Sequence, residues 1–410
     1  MLNKNLLSVE DAINKIVKTL KIMKDEDIKL TDSLGRVTAK KIISQLNNPP
    51  SDVSSMDGYA INSKKIFKNY KVIGESSAGN PFKKSVKLKQ AVQIFTGAHL
   101  PIGTNTVVIQ ENTKIINKDN ISIKKYKILA NENVRKKGLD FKKGNTILKE
   151  NSIINSRDIS TIAMSGNFYI NVRTKPKIGI LSTGDEIEKI GSSLKKNKIP
   201  SGNNVMLASM ISIFGGLPKI LPIAKDNIIT IEKILSKNLD CDLLVTTGGA
   251  SVGKYDFLSN LFKKNIKFWK IAMRPGKPLI FGSFKKVPII GLPGNPVSAG
   301  VCSLIFLRAA INKMLGIKDY FPEIYQGITT NIINKNDHRM DFIRSSLEIN
   351  KNNFLTPFKK QDSSMTNLFS KSNCLILRKP FEKKSMPGDV VNFIKFPDNF
   401  WQVDFDFKTW

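Results

Sequence analysis

A glycine-rich segment from Thr246 to Asp256 follows the apolar run Leu243–Val245, and this order predicts a buried strand that leads into a turn. Glycines let the backbone approach a ligand closely, and consecutive N–H groups can hold a phosphate. Gly248 and Gly253-Lys254 have the spacing of a nucleotide-binding P-loop, but Tyr255 stands where a Ser or Thr is required. The segment therefore predicts an anion site, and a P-loop NTPase is the weaker alternative.

Carboxylates follow a second predicted strand, Ile178–Leu181. The next loop, Ser182–Glu186, places Asp185 beside Glu186, and Asp256 ends the glycine-rich segment. Acidic side chains at strand ends can hold Mg²⁺ or assist proton transfer. Capping of a turn or a helix explains the same residues equally well, so both interpretations stay open.

Three cations, Lys270, Arg274 and Lys277, lie within eight residues that also contain Pro275 and Gly276. Proline reduces the entropy that long cationic side chains lose when they meet an anion, so this segment predicts anion binding.

The segment Gly291–Pro296 joins a predicted strand to a predicted helix. The N–H groups and dipole at a helix N-terminus can receive an anion. A tight turn with a purely structural role is the alternative.

Two loops outside this region also combine acids or hydroxyls with turn-forming residues. The loop Asn48–Ala60 contains Asp52 and Asp57, and the loop Phe95–Ala98 contains Thr96. Taken alone, each is more simply an ordinary loop than a site.

Strands and helices alternate between residues 176 and 316, which predicts a mostly parallel, doubly wound sheet with helices on both faces. Ligands of such folds bind at the carboxyl ends of the strands, where the glycine-rich loops begin. We expect Ser8 to cap a helix that ends near Met23, and Asp226 to cap a helix that begins at Asn227. Strand-like runs after residue 320 indicate a small β-barrel or a sandwich.

The formal net charge of +31 invites a nucleic-acid interpretation, but 56 of the 65 basic residues are Lys, spread along the chain. Arg is preferred for bidentate recognition of bases and phosphates, so a solvated surface is favoured and no nucleic-acid partner is expected. The charge should still favour the approach of an anionic substrate. The longest apolar run is too short to span a bilayer, and Cys241, Cys302 and Cys374 are far apart. We therefore expect a soluble, cytoplasmic protein without membrane contact, disulfides or a zinc site.

Seven motifs together resemble the molybdopterin molybdenumtransferase family, a relative of the E domain of gephyrin. The motifs are Pro49–Ala60, Phe95–Ala98, Gly138–Asp140, Ser182–Glu186, Gly248–Asp256, Lys270–Pro278 and Gly291–Ser298. They occur in the family's order, and the resemblance covers residues from about 5 to 395. Each motif alone is moderately specific, whereas seven in register are highly specific.

The resemblance implies a multi-domain fold of α/β plus β class, with elongated β-rich domains beside the sheet domain and a C-terminal β-barrel. The implied domains are 1–26 with 174–320 (molybdopterin-binding α/β), 27–46 with 142–173 (linking), 47–141 (β-rich) and 321–410 (barrel). It also implies an elongated homodimer, in which the second domain of one subunit completes the active cleft of its partner.

The activity that the resemblance implies uses adenylylated molybdopterin and molybdate as substrates. The phosphoanhydride is cleaved with the help of Mg²⁺, AMP is released, and molybdenum enters the dithiolene to give the molybdenum cofactor. Molybdopterin adenylyltransferase is the implied upstream partner.

The same resemblance assigns roles to individual residues. The implied catalytic residues are Asp57, Thr96, Asp140, Glu186, Asp226 and Asp256, and the implied metal ligands are Asp185, Glu186 and Asp256. The implied substrate contacts are Ser182, Thr183, Gly184, Gly248, Gly249, Ser251, Lys270, Arg274, Pro275, Lys277, Pro293, Asn295, Arg344 and Ser363. Family members often carry Lys at the place of Arg274, which keeps the charge but changes the donor geometry. Ser364 is an alternative to Ser363.

Two further alternatives belong to other functions. The related adenylyltransferase step would need only the α/β domain, whereas this chain carries matching motifs outside it. A non-enzymatic scaffold would tolerate loss of the acids, whereas Asp57, Glu186, Asp226 and Asp256 are all present.

Overall fold

The computed structural model describes residues 6–124, 127–193, 195–248, 261 and 265–397. The chain divides into two compact units. The sheet–barrel unit comprises Met1–Glu26, Gly35–Val37 and Arg173–Trp410, and the β-rich unit comprises Asp27–Leu34 and Thr38–Val172. The four domain boundaries expected from the sequence stay predictions. Three predicted site residues, Gly249, Ser251 and Asp256, lie outside the described residues.

The helices with described bounds are α1 (Val9–Thr19), α2 (Ser156–Met164), α3 (Gly202–Ile213), α4 (Ile228–Ser236), α5 (Pro296–Leu315) and α6 (Thr366–Ser370). Ser8 caps α1 as predicted, since its hydroxyl accepts the Asp11 N–H at 3.0 Å. The helix ends at Thr19 rather than near Met23, because the backbone is already extended at Leu20.

The cap of α4 differs from the prediction. Asn227, not Asp226, is the N-cap residue, and its Oδ1 accepts the Ile229 N–H at 2.8 Å. The carboxylate of Asp226 is therefore not committed to the helix.

The β-rich unit is built mainly from short strands. They are β1 (Asp25–Lys29), β2 (Ile42–Ile43), β3 (Val53–Ser54), β4 (Gly58–Ile61), β5 (Asn69–Ser76), β6 (Gln90–Ile94), β7 (Thr106–Ile109), β8 (Thr113–Asn117), β9 (Asn120–Ile123), β10 (Val134–Arg135), β11 (Thr146–Leu148) and β12 (Tyr169–Arg173). Strands β4 to β9 form one six-stranded sheet in the order β7-β4-β6-β5-β9-β8. The others form two-stranded pairs, β1 with β12, β2 with β11 and β3 with β10.

The central sheet of the sheet–barrel unit is mostly parallel, as predicted. The strands from this part of the chain are β13 (Lys177–Ser182), β14 (Ile187–Glu188), β15 (Ile199–Pro200), β16 (Leu217–Ile220), β17 (Leu243–Thr247), β18 (Ile266–Trp269), β19 (Met273–Arg274), β20 (Ile280–Phe284) and β21 (Val287–Leu292). Six of them form the sheet in the order β16-β13-β17-β21-β20-β18. Only β20 runs against the other five, because it pairs antiparallel with both of its neighbours.

The two faces of this sheet are covered separately, which makes it doubly wound. Residues such as Ile180 and Val245 pack into a core that includes α1, α3 and α5. Alternate residues such as Leu181 and Leu244 pack on the other face against Ile231 of α4. Strands buried on both faces are typical of parallel sheets.

The C-terminal strands close into a barrel, which decides between the barrel and the sandwich. They are β22 (Tyr325–Thr329), β23 (Met340–Ile349), β24 (Asn353–Pro357), β25 (Cys374–Arg378) and β26 (Val390–Lys395). The order β23-β24-β22-β26-β25 returns to β23, and β19 adds to β23 from outside the ring. The long β23 closes the ring because it pairs with both β24 and β25.

Helix α5 is longer than the apolar run seen in the sequence, and it contains a π-helical turn at Ser303–Leu307. Its 20 residues would suffice by length and composition to cross a membrane, but 89% of its apolar window is buried inside the protein. It is therefore a core helix. Cys241, Cys302 and Cys374 are all buried, and their thiols are free.

Candidate active site

Three loops meet at the carboxyl edge of the central sheet, after β13, β17 and β21. Gly248 has φ +90°, and a Cβ there would lie 2.3 Å from the Thr183 carbonyl oxygen, so only glycine fits. A Cβ on Gly294 would be 3.5 Å from the Gly248 Cα. The three loops are thus in direct contact, as the strand pattern predicts for a ligand-binding edge.

Asn203, in the first turn of α3, ties two of these loops together. Its Nδ2 donates to Thr247 Oγ1 and to the Gly294 carbonyl oxygen, both at 2.8 Å. Asn204 next to it contacts the hydroxyl of Ser182. Neither asparagine is among the residues predicted from the sequence. The local sequence offers one sign of their role, which is that two adjacent polar residues stand in the first turn of a helix, directly after Ser201-Gly202.

The three described acids of this edge lie close together. The Asp226 N–H donates to Asp185 Oδ1 at 3.3 Å. Burial raises the pKa of Asp226 above its usual range, and the charges of Asp185 and Glu186 raise it further. A cation among these carboxylates would relieve that repulsion. In the described part of the chain, however, no three acidic, His or Cys side chains form a complete metal site.

A barrel loop docks on the N-terminus of α5, beside the three loops. Asn295 Nδ2 donates to Ser363 Oγ at 2.7 Å, and the Val297 N–H donates to the Ser363 carbonyl at 3.1 Å. Ser364 turns away, since its hydroxyl donates to Asp362 Oδ1 at 2.6 Å.

Arg344 holds this loop from within the barrel. Its side chain is buried, Nε donates to Gln361 Oε1 at 3.2 Å, and Nη1 donates to the Asp362 carbonyl at 2.8 Å. Burial lowers the pKa of the guanidinium, and the charge of Asp362 opposes that shift. The predicted pair Arg344 and Ser363 is therefore brought to the N-terminal end of α5.

The predicted cations separate into two places. Lys270 follows β18, whose last residue Trp269 lies in one cross-sheet row with Gly291 and Thr246. Lys270 therefore leaves the sheet at the same edge as the glycine loops.

Arg274 instead reaches the barrel, where it pairs with Asp341 and lies 3.6 Å from Asp337. Its half-exposed side chain lines a cavity of about 590 Å³ together with Arg378 and Gln361. The sequence contains no sign of this pairing, because both aspartates lie more than 60 residues away.

Backbone hydrogen bonds hold three further predicted residues in place. The Pro293 carbonyl accepts from Thr247 Oγ1 at 3.4 Å, and the Lys277 carbonyl accepts the Ile271 N–H at 3.0 Å. The Gly184 N–H donates to the Ala224 carbonyl at 3.2 Å. The bond between Arg274 and Pro275 is a cis peptide.

Two predicted residues of the β-rich unit meet directly. Asp57 Oδ1 accepts from the Thr96 N–H at 2.7 Å and from its hydroxyl at 2.9 Å. These bonds hold the pKa of Asp57 below its usual range, so the carboxylate is ionised at neutral pH. The third predicted residue, Asp140, accepts from Asn48 Nδ2 at 3.1 Å on an adjacent loop of this unit.

Comparisons with known proteins show which family has this sequence and fold. Three family profiles match the chain: MoeA N-terminal region (domain I and II) over residues 7–166, probable molybdopterin binding domain over 179–313, and MoeA C-terminal region (domain IV) over 326–396. The molybdopterin molybdenumtransferase of Haemophilus influenzae is 32% identical over 400 residues, which cover 95% of this chain and 99% of that protein. The chain belongs to the molybdopterin molybdenumtransferase family.

Other family members agree with this assignment. The molybdopterin molybdenumtransferase of Nostoc sp. is 30% identical, covering 83% of this chain and 82% of that protein. The crystal structure of the molybdopterin biosynthesis MoeA protein of Pyrococcus horikoshii OT3 has a TM-score of 0.84 and 26% identity, and covers 96% of this chain and 100% of that chain.

Family membership confirms the resemblance and the fold class inferred from the motifs. It makes the chain a transferase of molybdenum cofactor biosynthesis that acts on a molybdopterin-related substrate. A match along nearly the whole length contradicts the P-loop NTPase alternative, so the spacing of Gly248 and Lys254 is coincidental.

Proposed function

We propose that the chain inserts molybdenum from molybdate into adenylylated molybdopterin, cleaving the phosphoanhydride and releasing AMP. The observation that carries this proposal is the meeting of the loops after β13, β17 and β21 with the barrel loop at Ser363. A substrate with a pterin, two phosphates and a nucleoside needs an extended edge of this kind rather than one small pocket.

The groups around this edge suit phosphate and oxyanion. The glycine turn at Gly248 permits close approach of the substrate, and the N-terminal end of α5 supplies positive dipole beside Asn295. Lys270 leaves the edge strand β18, which is two inter-strand steps from β21, or about 10 Å. Phosphate and molybdate can thus be bound at separate points of the same edge.

Asp185 and Glu186 would hold Mg²⁺ together with Asp256 from the glycine-rich segment, and the charge of Asp226 beside Asp185 would help to attract the ion. The raised pKa of Asp226 fits a cation at this place, because burial and then the charges of Asp185 and Glu186 disfavour its ionised form when no counter-ion is bound. The ion would offset phosphate charge while the anhydride bond breaks. The chain's own contribution is to place these carboxylates close together.

We further propose that the protein is a homodimer in which Asp57, Thr96 and Asp140 complete the site of the partner subunit. The ionised Asp57, held by Thr96 on an exposed loop, supports a role outside the interior of its own unit. Molybdopterin adenylyltransferase is the expected upstream partner, because its product is the substrate proposed here. We expect the enzyme to act in the cytoplasm.

A direct assay tests the reaction. The purified chain is incubated with adenylylated molybdopterin, Mg²⁺ and molybdate, and AMP is measured by chromatography. We expect AMP to be released, and the absence of AMP under these conditions would contradict the proposal. In a parallel reaction with molybdopterin and ATP, formation of pyrophosphate would favour the adenylyltransferase alternative.

A further inference from the structure

The side chain of Trp269 supports Lys270 at the edge of the central sheet. The Lys270 ammonium lies 4.1 Å from the centre of the Trp269 ring. The indole is half-buried and packs against the second core of the sheet, so its position is fixed by the fold. The indole N–H is buried and has no hydrogen-bond partner among the described residues. The contact of the ring face with the Lys270 ammonium is therefore the polar interaction that the structure shows for this side chain.

The backbone fixes the direction of Lys270 as well. Lys270 has φ +67°, a left-handed conformation that is uncommon for a residue with a side chain. Its N–H donates to the Leu279 carbonyl at 3.0 Å, and its carbonyl accepts the Leu7 N–H at 3.4 Å. Such conformations are maintained where the surrounding structure requires them, and they are concentrated at functional sites.

We propose that Trp269 is a positioning residue for Lys270, which it holds with its ammonium aimed at an oxyanion on the carboxyl edge. One side of the ammonium lies on the aromatic face, and Lys270 is only partly buried, so the other side can meet an anion. The indole therefore limits the orientations of a long, flexible side chain before substrate arrives. This inference rests on the proposed function, and it assigns molybdate to Lys270 as the oxyanion that its ammonium contacts.

Steady-state kinetics separate positioning from a merely structural role. The Trp269→Leu variant should raise the KM for molybdate roughly threefold to tenfold, the range of one cation–π contact, with little change in kcat. Trp269→Phe keeps a ring face and should recover most of the affinity. Phe284→Leu removes a buried aromatic ring from the same core away from Lys270, and it should lower the melting temperature without changing this KM. An unchanged KM in Trp269→Leu, or an equal rise in Phe284→Leu, would overturn the inference.

A binding measurement gives a readout that does not depend on turnover. The chain has three Trp residues, so Trp269 is the sole one left after Trp401→Phe and Trp410→Phe. Titration with sodium molybdate should then change the Trp269 fluorescence saturably, and Lys270→Met should abolish the change. Persistence of the change in Lys270→Met, or its absence with Lys270 present, would contradict the inference. Failure of the unmodified chain to release AMP would instead refute the proposed function, so the two failures are distinguishable.

Discussion

Asp226 is the residue at which the electrostatics of the candidate site can be measured most simply. It is half-buried, it faces the charges of Asp185 and Glu186, and its pKa is raised as a result. The folded protein therefore holds this proton to a higher pH than the unfolded chain does. Stability falls as the pH rises through the interval between the two pKa values, and stays reduced at neutral pH.

Replacement of this carboxylate should therefore have opposite effects on stability and on metal binding. Asp226→Asn should melt at a higher temperature than the unmodified chain at pH 7 without Mg²⁺, because it removes a charge that is partly buried and repelled by its neighbours. The rise in melting temperature on addition of Mg²⁺ should be smaller in the variant. Thermal unfolding followed by circular dichroism, with and without Mg²⁺, measures both effects.

Asp240 provides a control of opposite sign. Hydrogen bonds from Lys177 and Lys219 lower its pKa to about 2, so its charge stabilises the fold above the unfolded pKa. Asp240→Asn should therefore lower the melting temperature at pH 7. If Asp226→Asn behaves like Asp240→Asn, the account of the acid cluster is wrong.

The residue types in the sequence indicate that this site binds anions and cations, but they do not determine which residue caps a helix or which side chains pair. Asp226 and Asn227 are adjacent and both are good cap residues, so the sequence does not determine which of them caps α4. Likewise, the pairing of Arg274 with Asp341 depends on the register between β19 and β23, which no local pattern indicates.

Among the elements, the turn after β17 has no room for a side chain at Gly248, and this can be tested by substitution. Gly248 and Gly144 have nearly the same φ, +90° and +89°, but a Cβ on Gly144 would meet nothing within 4 Å. Gly144→Ala should therefore lose about 1 kcal/mol of stability from backbone strain alone. Gly248→Ala should lose more, because the new methyl group collides with Thr183.

Chemical unfolding of the two variants measures the difference. Activity should fall in Gly248→Ala and remain near normal in Gly144→Ala, since only the first turn lies at the carboxyl edge. Equal losses of stability in the two variants would show that the close contact with Thr183 is not decisive.

Most strands and helices could be predicted from hydrophobic patterns and caps, and β20 shows where such patterns fail. The turn between β20 and β21 consists of Lys285 and Lys286, both with positive φ. Two-residue hairpin turns of this kind are usually marked by Asn or Gly, and here that signal is missing. The reversed strand was consequently not anticipated.

Closure of the barrel followed from the family resemblance but not from the strand pattern alone. The strand-like runs after residue 320 are equally compatible with a sandwich, because both architectures alternate short strands with turns. The difference depends on the ten-residue β23, which pairs with β25 over residues 341–345 and with β24 over residues 345–349.

At the scale of the whole molecule, the proposed dimer can be tested by mixing subunits. Asp57→Ala and Glu186→Gln should each inactivate a homodimer. In a heterodimer of the two, one site keeps both acids if the β-rich unit of each chain serves its partner. The purified heterodimer should then show about half of the unmodified rate.

The heterodimer can be purified from cells that co-express the two variants with different affinity tags. Light scattering then measures its mass. An inactive heterodimer would indicate that each chain completes its own site. A monomer at assay concentrations would contradict the dimer itself.

In the proposed function, cleavage of the anhydride and insertion of molybdenum are one coupled reaction on this chain. A single-turnover experiment with adenylylated molybdopterin, Mg²⁺ and molybdate should yield equal amounts of AMP and of dithiolene-bound molybdenum, and omission of molybdate should suppress both. AMP released at the same rate without molybdate, or no AMP at all, would contradict the account.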